Sequence, residues 1–185
     1  MLIRTFLQKD IELVKKFTDI EIGHGYYSTE ELQENQVKSV CTDGSISSFL
    51  LIDENTNQVR GLRLAYPPGK WLHGKGTQLR PDLWPYPLEK TGYFQSLFIA
   101  KELQGHGYGP ALSKKSIEVL INQGALGIAT HCWKESPHNS SVRYLEKIGF
   151  KKIIEHPFYW KDVNYTCPLD GNPCQCTAIE MYLEL

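Results

Sequence analysis

This chain reads as an α/β protein, and three stretches of its sequence carry that expectation. Residues 93–99 are rich in aromatic and branched side chains, as a buried strand should be. They lead through 104–109, with glycines at 105, 107 and 109, into an amphipathic run from Ala111 to Gln123 that stops at Gly124. Residues 46–52 and 59–66 form two further apolar runs joined by the polar turn 53–57, a hairpin pattern. Near the end Ile179, Met181, Leu183 and Leu185 alternate with other residues, the period of a strand with one covered face.

The remaining elements follow in order. Residues 2–7 suit a short first strand. Asp10 can cap a helix with Leu13, Val14, Phe17 and Ile20 on one face, ending near Gly23. Ser28-Thr29-Glu30-Glu31 has the form of a capping box, opening a second helix that runs to about Cys41. Residues 67–91 hold five prolines, three glycines and two tryptophans without a period. A loop this long is usually functional, Trp71, Trp84 and Tyr86 favour partial burial over disorder, and a packed flap or a homodimer contact are alternative readings. Within it, residues 69–76 nearly spell a nucleotide-phosphate loop. Gly76 stands where Ser or Thr must meet magnesium and no periodic helix follows, so that reading is rejected. A strand at 127–133, a helix at 140–148, a strand at 151–160 and a cysteine-bearing loop at 161–177 complete the chain.

The glycine loop has a direct chemical use. Unpaired amides at a helix N-terminus, with no Cβ in the way, form a ready anion site. Pro110 fits the first helical turn, where its missing N–H costs nothing.

Gln104-x-x-Gly107-x-Gly109 resembles the Q/R-x-x-G-x-G/A signature of the GNAT (GCN5-related) N-acetyltransferases. Ser141-Val142-Arg143-Tyr144-Leu145-Glu146-Lys147-Ile148-Gly149-Phe150 resembles the family's second signature, a short helix ending in Gly-Phe. The likeness is clear over residues 92–160 and topological before that. It is nearest in wording to the ribosomal-protein N-acetyltransferase branch, which places a serine where Ser141 stands. The resemblance implies one GNAT-like domain over residues 1–185: a mixed, mostly antiparallel sheet flanked by helices, with a splayed strand pair holding the coenzyme. It implies transfer of an acetyl group from acetyl-coenzyme A to a primary amine of a small molecule or protein. The alternative is a catalytically silent coenzyme A-binding sensor or interaction domain. The cofactor contacts it implies are Leu97 and Ile99 on the fourth strand, Gln104, Gly105, His106, Gly107, Tyr108 and Gly109 in the loop, and Asn139. Lys114, Lys115 and Arg143 are either phosphate partners or ordinary solvated residues. The resemblance also places residues 67–91 near the acceptor side, so that Trp71, Trp84 and Tyr86 are read as part of an acceptor wall.

Proton chemistry is where the sequence departs from the family. Many members place a tyrosine four residues before the glycine of Gly-Phe, to protonate the departing thiolate. Here that position is Leu145, and Tyr144 lies one residue earlier, about 100° round the helix. Counting back from Gly149 likewise puts His138 at the family's usual asparagine. Tyr144, Ser141 and His138 are the candidate acids in that order, and His131 and Glu135 the candidate bases. A turn that starts the helix one residue late would restore Tyr144 to the cleft.

Composition limits the alternatives. The 185 residues are 41% hydrophobic and 22% charged, with 20 basic against 21 acidic side chains and a net charge of −1. No basic surplus argues for nucleic acid or an anionic membrane, no apolar run is long enough to span a bilayer, and residues 1–4 do not read as a signal peptide. A cytoplasmic location is expected. Five cysteines, an odd number, do not form a secreted disulfide framework. Three of them, Cys167, Cys174 and Cys176, could bind zinc with Asp170 or His156 as fourth ligand, or stay as buried thiols, or form a regulatory disulfide.

Overall fold

The computed structural model describes residues 1–71, 78–163, 166–167 and 169–185. Its strands are β1 (Leu2–Thr5), β2 (Phe49–Asp53), β3 (Gln58–Tyr66), β4 (Thr91–Ile99), β5 (Gly127–Trp133), β6 (Lys151–His156) and β7 (Ala178–Glu184). They form one seven-stranded sheet in the order β1-β2-β3-β4-β5-β7-β6. Every neighbouring pair is antiparallel except β4–β5. The mixed, mostly antiparallel α/β sheet expected from the sequence is therefore present.

Alternation along β2 sends successive side chains to opposite faces. On one face Leu50 and Ile52 join Leu62 and Leu64 of β3 against helices α1 (Ile11–Glu21) and α2 (Thr29–Lys38), through Val14, Phe17 and Leu32. On the other, Phe49 and Leu51 meet Leu112 of α3 (Tyr108–Asn122). Phe94, Ile128 and Met181 continue that face beneath Val142 and Leu145 of α4 (Ser140–Lys147). Among the described residues no helix is long and apolar enough to cross a membrane.

Several local expectations hold and several need correction. The capping box forms as read: Glu31 N–H donates to Ser28 Oγ at 3.1 Å, and the Ser28 amide to Glu31 Oε2 at 2.8 Å. Asp10 does not cap its own helix. Its carboxylate instead accepts from the Leu7 amide at 2.9 Å and from the Arg4 guanidinium at 2.6 and 2.8 Å, which favours tying β1 to the helix entry. Ile20 is 70% exposed, beyond the end of the buried stripe. Helix α3 starts three residues earlier than Ala111, because Gly107 in the left-handed region can begin it. β6 stops at His156, leaving residues 157–177 as a long connection to β7.

The loop at 67–91 takes the packed-flap arrangement in its described part, not that of an acceptor wall; residues 72–77, which include most of the phosphate-loop look-alike, lie outside the described residues. Trp71 stacks on Tyr93 with ring centroids 4.4 Å apart and donates its indole N–H to the Thr91 carbonyl. Trp84 packs against Tyr182, and Tyr86 leans on the same cluster. Trp71 and Trp84 are buried, so their rings serve packing.

One irregularity positions the site. β4 and β5 pair in parallel only from Thr91↔Gly127 to Phe94↔Thr130, although β4 runs on to Ile99 and β5 to Trp133. Where the pairing stops, the β3–β4 register slips, Leu64 facing Ser96 and Ala65 facing Phe94, so Gln95 is the extra residue of a bulge. A bulge bends and twists its strand, and here it accompanies the divergence of β4 from β5.

Candidate active site

The divergence opens a cleft of about 1310 Å³ between the two strands, bordered by the 104–109 loop, α4, the α1–α2 connection and the 157–177 loop. From Gln95 to Ile99 the β5-facing edge of β4 has no strand partner, so its backbone is available to an amide-bearing ligand. Leu97 and Ile99 line this stretch. Gln95, at the bulge, borders the same cleft, and its buried Oε1 has no hydrogen-bond partner among the described residues. A polar, partly unsatisfied wall of this kind fits a pantetheine-like chain.

At the outer end of the cleft, Gly105 and Gly107 have φ of 79° and 84°. A Cβ on either would meet nothing within 4 Å, which leaves an open cradle at the N-terminus of α3. Gly109 is needed for a different reason: its Cβ would stand 3.3 Å from Leu97 and 3.7 Å from the Tyr144 ring. The Gln104 side chain donates to the Ile99 carbonyl at 3.1 Å and so braces the loop, while His106 Nδ1 lies 2.9 Å from the Gln104 carbonyl and its ring is exposed. Gln104, Gly105, Gly107, Tyr108 and Gly109 border the cleft; His106 is turned outward from it.

Tyr144 also borders the cleft. His138 and Asn139 both adopt left-handed backbone, φ 54° and 55°, before α4 begins at Ser140. The helix does not start one residue late; it begins at Ser140 after this double kink, with Leu145 in the core and Tyr144 facing α3 and bordering the cleft. The Tyr144 hydroxyl lies 2.5 Å from Ser113 Oγ, 3.3 Å from the Gly109 carbonyl and 3.4 Å from Arg63 Nη2. Arg63 is buried and has no carboxylate partner among the described residues. Its guanidinium donates to Ser113 Oγ at 2.7 and 3.0 Å and sits 4.2 Å above the Phe94 ring. Burial pushes its pKa down, and Tyr144 partly opposes that. An unpaired cation beside a phenol is a strong local field, because a low-dielectric surrounding screens little.

The other side of the cleft holds a second polar group. Tyr93 of β4 and His131 of β5 both line it, with the Tyr93 hydroxyl 2.9 Å from His131 Nδ1. His131 Nε2 stands 3.4 Å from Glu180 Oε2, within ion-pair distance but without the alignment of a hydrogen bond. His131 and Glu180 are directly paired residues of β5 and β7. Glu180 is fully buried and accepts from Trp84 Nε1 at 2.5 Å, from His156 Nε2 at 2.6 Å and from the Arg80 amide at 3.1 and 3.2 Å. Burial would raise its pKa, but these donors and His131 outweigh that and hold it at about 2. Burial holds His131 below its usual 6.5 despite Glu180, so the ring is neutral near pH 7. With the carboxylate facing Nε2, the tautomer with hydrogen there is favoured, leaving Nδ1 to accept from Tyr93. Tyr159 stacks on His131 at 4.6 Å and closes the group.

The remaining candidates divide. Ser141 and His138 line the cleft beside Tyr144, Ser141 with its amide on Ser136 Oγ at 3.2 Å and His138 exposed. Glu135 is exposed and its carboxylate accepts from the Thr177 amide at 3.1 Å, so it is engaged away from the cleft as a loop anchor. Asn139 is exposed at the start of α4, outside the cleft lining, and makes no side-chain cap. Arg143 reaches the cleft, whereas Lys114 and Lys115 are exposed on α3 and outside its lining. Tyr93, Arg63, Ser113 and Glu180 were missed by sequence reasoning. The available signals were Arg63 and Glu180, charges inside otherwise apolar strands.

Comparison with known proteins agrees with this architecture. A comparison with curated proteins found no match. Among solved structures, Chaetomium thermophilum Naa20 in complex with a bisubstrate analogue is similar at a TM-score of 0.71 and 12% identity, covering 100% of this chain and 87% of that one. The NatC complex bound to Gag peptide and CoA is similar at 0.68 and 14% identity, covering 100% and 98%. The ribosomal-protein-alanine N-acetyltransferase from Brucella melitensis is similar at 0.64 and 16% identity, covering 100% of both. Identities this low speak for the fold alone. Residues 21–150, well over half the chain and including the glycine loop and the Gly-Phe helix, match the Acetyltransferase (GNAT) family, and the chain belongs to that family.

Proposed function

We propose that this protein is an acetyl-coenzyme A-dependent N-acetyltransferase acting on a primary amine, a single GNAT-like domain with one active cleft. The observation that carries the reading is the pairing of two proton-handling groups, Tyr93–His131–Glu180 and Tyr144–Ser113–Arg63, with the gap between β4 and β5. Acetyl-coenzyme A, as substrate, supplies the activated acyl group. The 104–109 amides hold its pyrophosphate, and the free edge of β4 holds the pantetheine arm and offers an amide to the thioester oxygen. The acceptor enters from the side of Tyr26, Tyr159 and Trp160. Tyr93 takes a proton from the acceptor ammonium as its own passes to His131 Nδ1, and Glu180 stabilises the resulting imidazolium. The amine nitrogen then bonds to the acyl carbon; as the carbon–sulfur bond breaks, Tyr144 gives its proton to the thiolate and its phenolate recovers the nitrogen's second proton, directly or through water, leaving the neutral amide, the free thiol and the His131 proton to pass to solvent.

Neighbours whose structures hold a bisubstrate analogue or a peptide support an acceptor such as a peptide N-terminus. The test is acetyl-coenzyme A turnover against small amines and peptides, with its pH dependence. An enzymatic base lets the protonated amine react, so kcat/KM should rise through the depressed His131 pKa, below 6.5, and then level off. In His131→Gln it should climb with slope one up to the acceptor's own pKa. A wild-type profile that also climbs that far would refute the relay. Coenzyme binding with no turnover on any amine would leave the silent sensor domain.

The coenzyme site has its own check. In Gly107→Ala the added methyl meets no protein atom but enters the cradle, at a backbone strain of about 1 kcal/mol. Calorimetry should show coenzyme A affinity reduced by about tenfold, roughly 1.4 kcal/mol, with circular dichroism unchanged. Wild-type affinity in the variant would place the pyrophosphate elsewhere.

A further inference from the structure

We propose that Cys167, Cys174, Cys176 and Asp170 form a structural site for a thiophilic divalent ion, zinc above all, that fixes the 157–177 loop. The three cysteines are in no disulfide and are buried, at 3%, 1% and 2% exposure, although no helix or strand among the described residues between β6 and β7 buries them. One ligand atom from each of the four residues lies within 4.8 Å of all the others. Cys167 Sγ and Cys176 Sγ are 3.6 Å apart, and Cys176 Sγ is 3.2 Å from Asp170 Oδ2. Zinc–sulfur bonds of about 2.3 Å in a tetrahedron put neighbouring sulfurs about 3.8 Å apart, close to what is found. A disulfide needs about 2.05 Å, and pairing any two of these cysteines would leave the third buried alone.

The local chain is shaped for the task. Cys167 and Asp170 have the two-residue spacing of metal-binding turns. The turn is closed by reciprocal 2.9 Å hydrogen bonds between Cys167 and Gly171, with Gly171 at φ 78°. The second arm, Cys174-Gln175-Cys176, docks onto it through the Gln175 amide, 3.2 Å from Asp170 Oδ2. Trp133 and Trp160 pack against the three cysteines, while Asp170 closes the cluster from its exposed side. Trp133 packs against the cysteine cluster and its buried Nε1 has no acceptor among the described residues; an N–H there can support a metal-bound thiolate. His156, the other fourth ligand suggested by the sequence, is held by Glu180 instead. His131, His156 and Glu180 also lie close enough to hold an ion, but Trp84, His156 and the Arg80 amide already occupy that carboxylate.

Binding forms three metal–sulfur bonds and one metal–oxygen bond, releases three thiol protons to solvent and involves no oxidation. Because Trp160, Thr166 and Cys167 also border the cleft, the ion would hold one wall of the acceptor side in place.

The test does not depend on activity. Protein purified under reducing conditions from zinc-supplemented cells should carry about one zinc per chain by elemental mass spectrometry. Cys174→Ser and Cys176→Ser should lose it, while Cys41→Ser and Cys132→Ser keep it. A variant that unfolds would also lose metal, so the wild type is examined separately: stripped of metal and titrated with cobalt(II), it should develop thiolate charge-transfer absorption and the intense visible bands of a tetrahedral site, saturating at one equivalent. Reduced wild-type protein with neither zinc nor such a cobalt spectrum would overturn the proposal. So would a native mass two hydrogens lighter with a Cys167–Cys176 disulfide and no zinc.

Discussion

Tyr144→Phe is expected to lower kcat by about 10²- to 10⁴-fold while the KM for acetyl-coenzyme A stays near wild type. A thiolate leaves readily, which favours the lower end. The expectation rests on what surrounds the hydroxyl. Arg63 is a buried cation facing Ser113 and the ring of Phe94, and its guanidinium lies 3.4 Å from the Tyr144 oxygen. When Tyr144 gives up its proton, the new phenolate meets a positive charge that otherwise has no anion among the described residues. Arg63 is therefore a positioning and electrostatic partner, and the two residues should behave as one unit. Arg63→Met should lower kcat by itself, and Tyr144→Phe should add little on top of it. Full kcat in Tyr144→Phe across the pH range would make the tyrosine a packing residue and move attention to Ser141 or His138.

Glu180→Ala should cost about 3–5 kcal/mol of folding stability, read as a lower urea midpoint at unchanged slope, and should abolish turnover. The fully buried carboxylate joins β7 to Trp84, Arg80, His131 and His156, so its removal strands several donors at once. Its acid signature has a definite sign. A carboxylate held at about 2 against an ordinary 4.5 stabilises the fold fully above 4.5, and the contribution is lost as pH falls towards 2. His131, depressed from 6.5 by burial, starts the decline earlier, because its unfolded form takes up the proton first. The wild type should lose stability below 6.5 and more steeply below 4.5, and the variant should lose less over that lower range, where Asp10 and the other paired carboxylates still contribute. A variant with wild-type stability would show that the carboxylate is replaceable by solvent.

What the sequence made readable was local. The glycine loop, the capping box and the Gly-Phe helix each declare themselves within about ten residues, because turns and caps depend on their own side chains. Tyr144 was recognisable but misplaced by one position, since nothing short of the fold reveals two successive left-handed residues at His138 and Asn139, neither a glycine. Tyr93, His131 and Glu180 lie on three strands and meet only through register, His131 opposite Glu180. Trp71 and Trp84 read as part of an acceptor wall because they stand in a long loop, and such loops are usually functional. They instead complete the aromatic layer behind Tyr93, and that layer holds its hydroxyl towards His131.

The break between β4 and β5 has a thermodynamic consequence. A sheet left unzipped at its centre forgoes backbone pairing that a continuous one would have, so a coenzyme seated there as proposed would provide part of the cohesion between its two halves. A ligand bound only by the folded state adds about 2.7 kcal/mol when its free concentration is a hundred times its dissociation constant. Fluctuating coenzyme supply would then govern how long a molecule of this protein survives, as well as how fast it works.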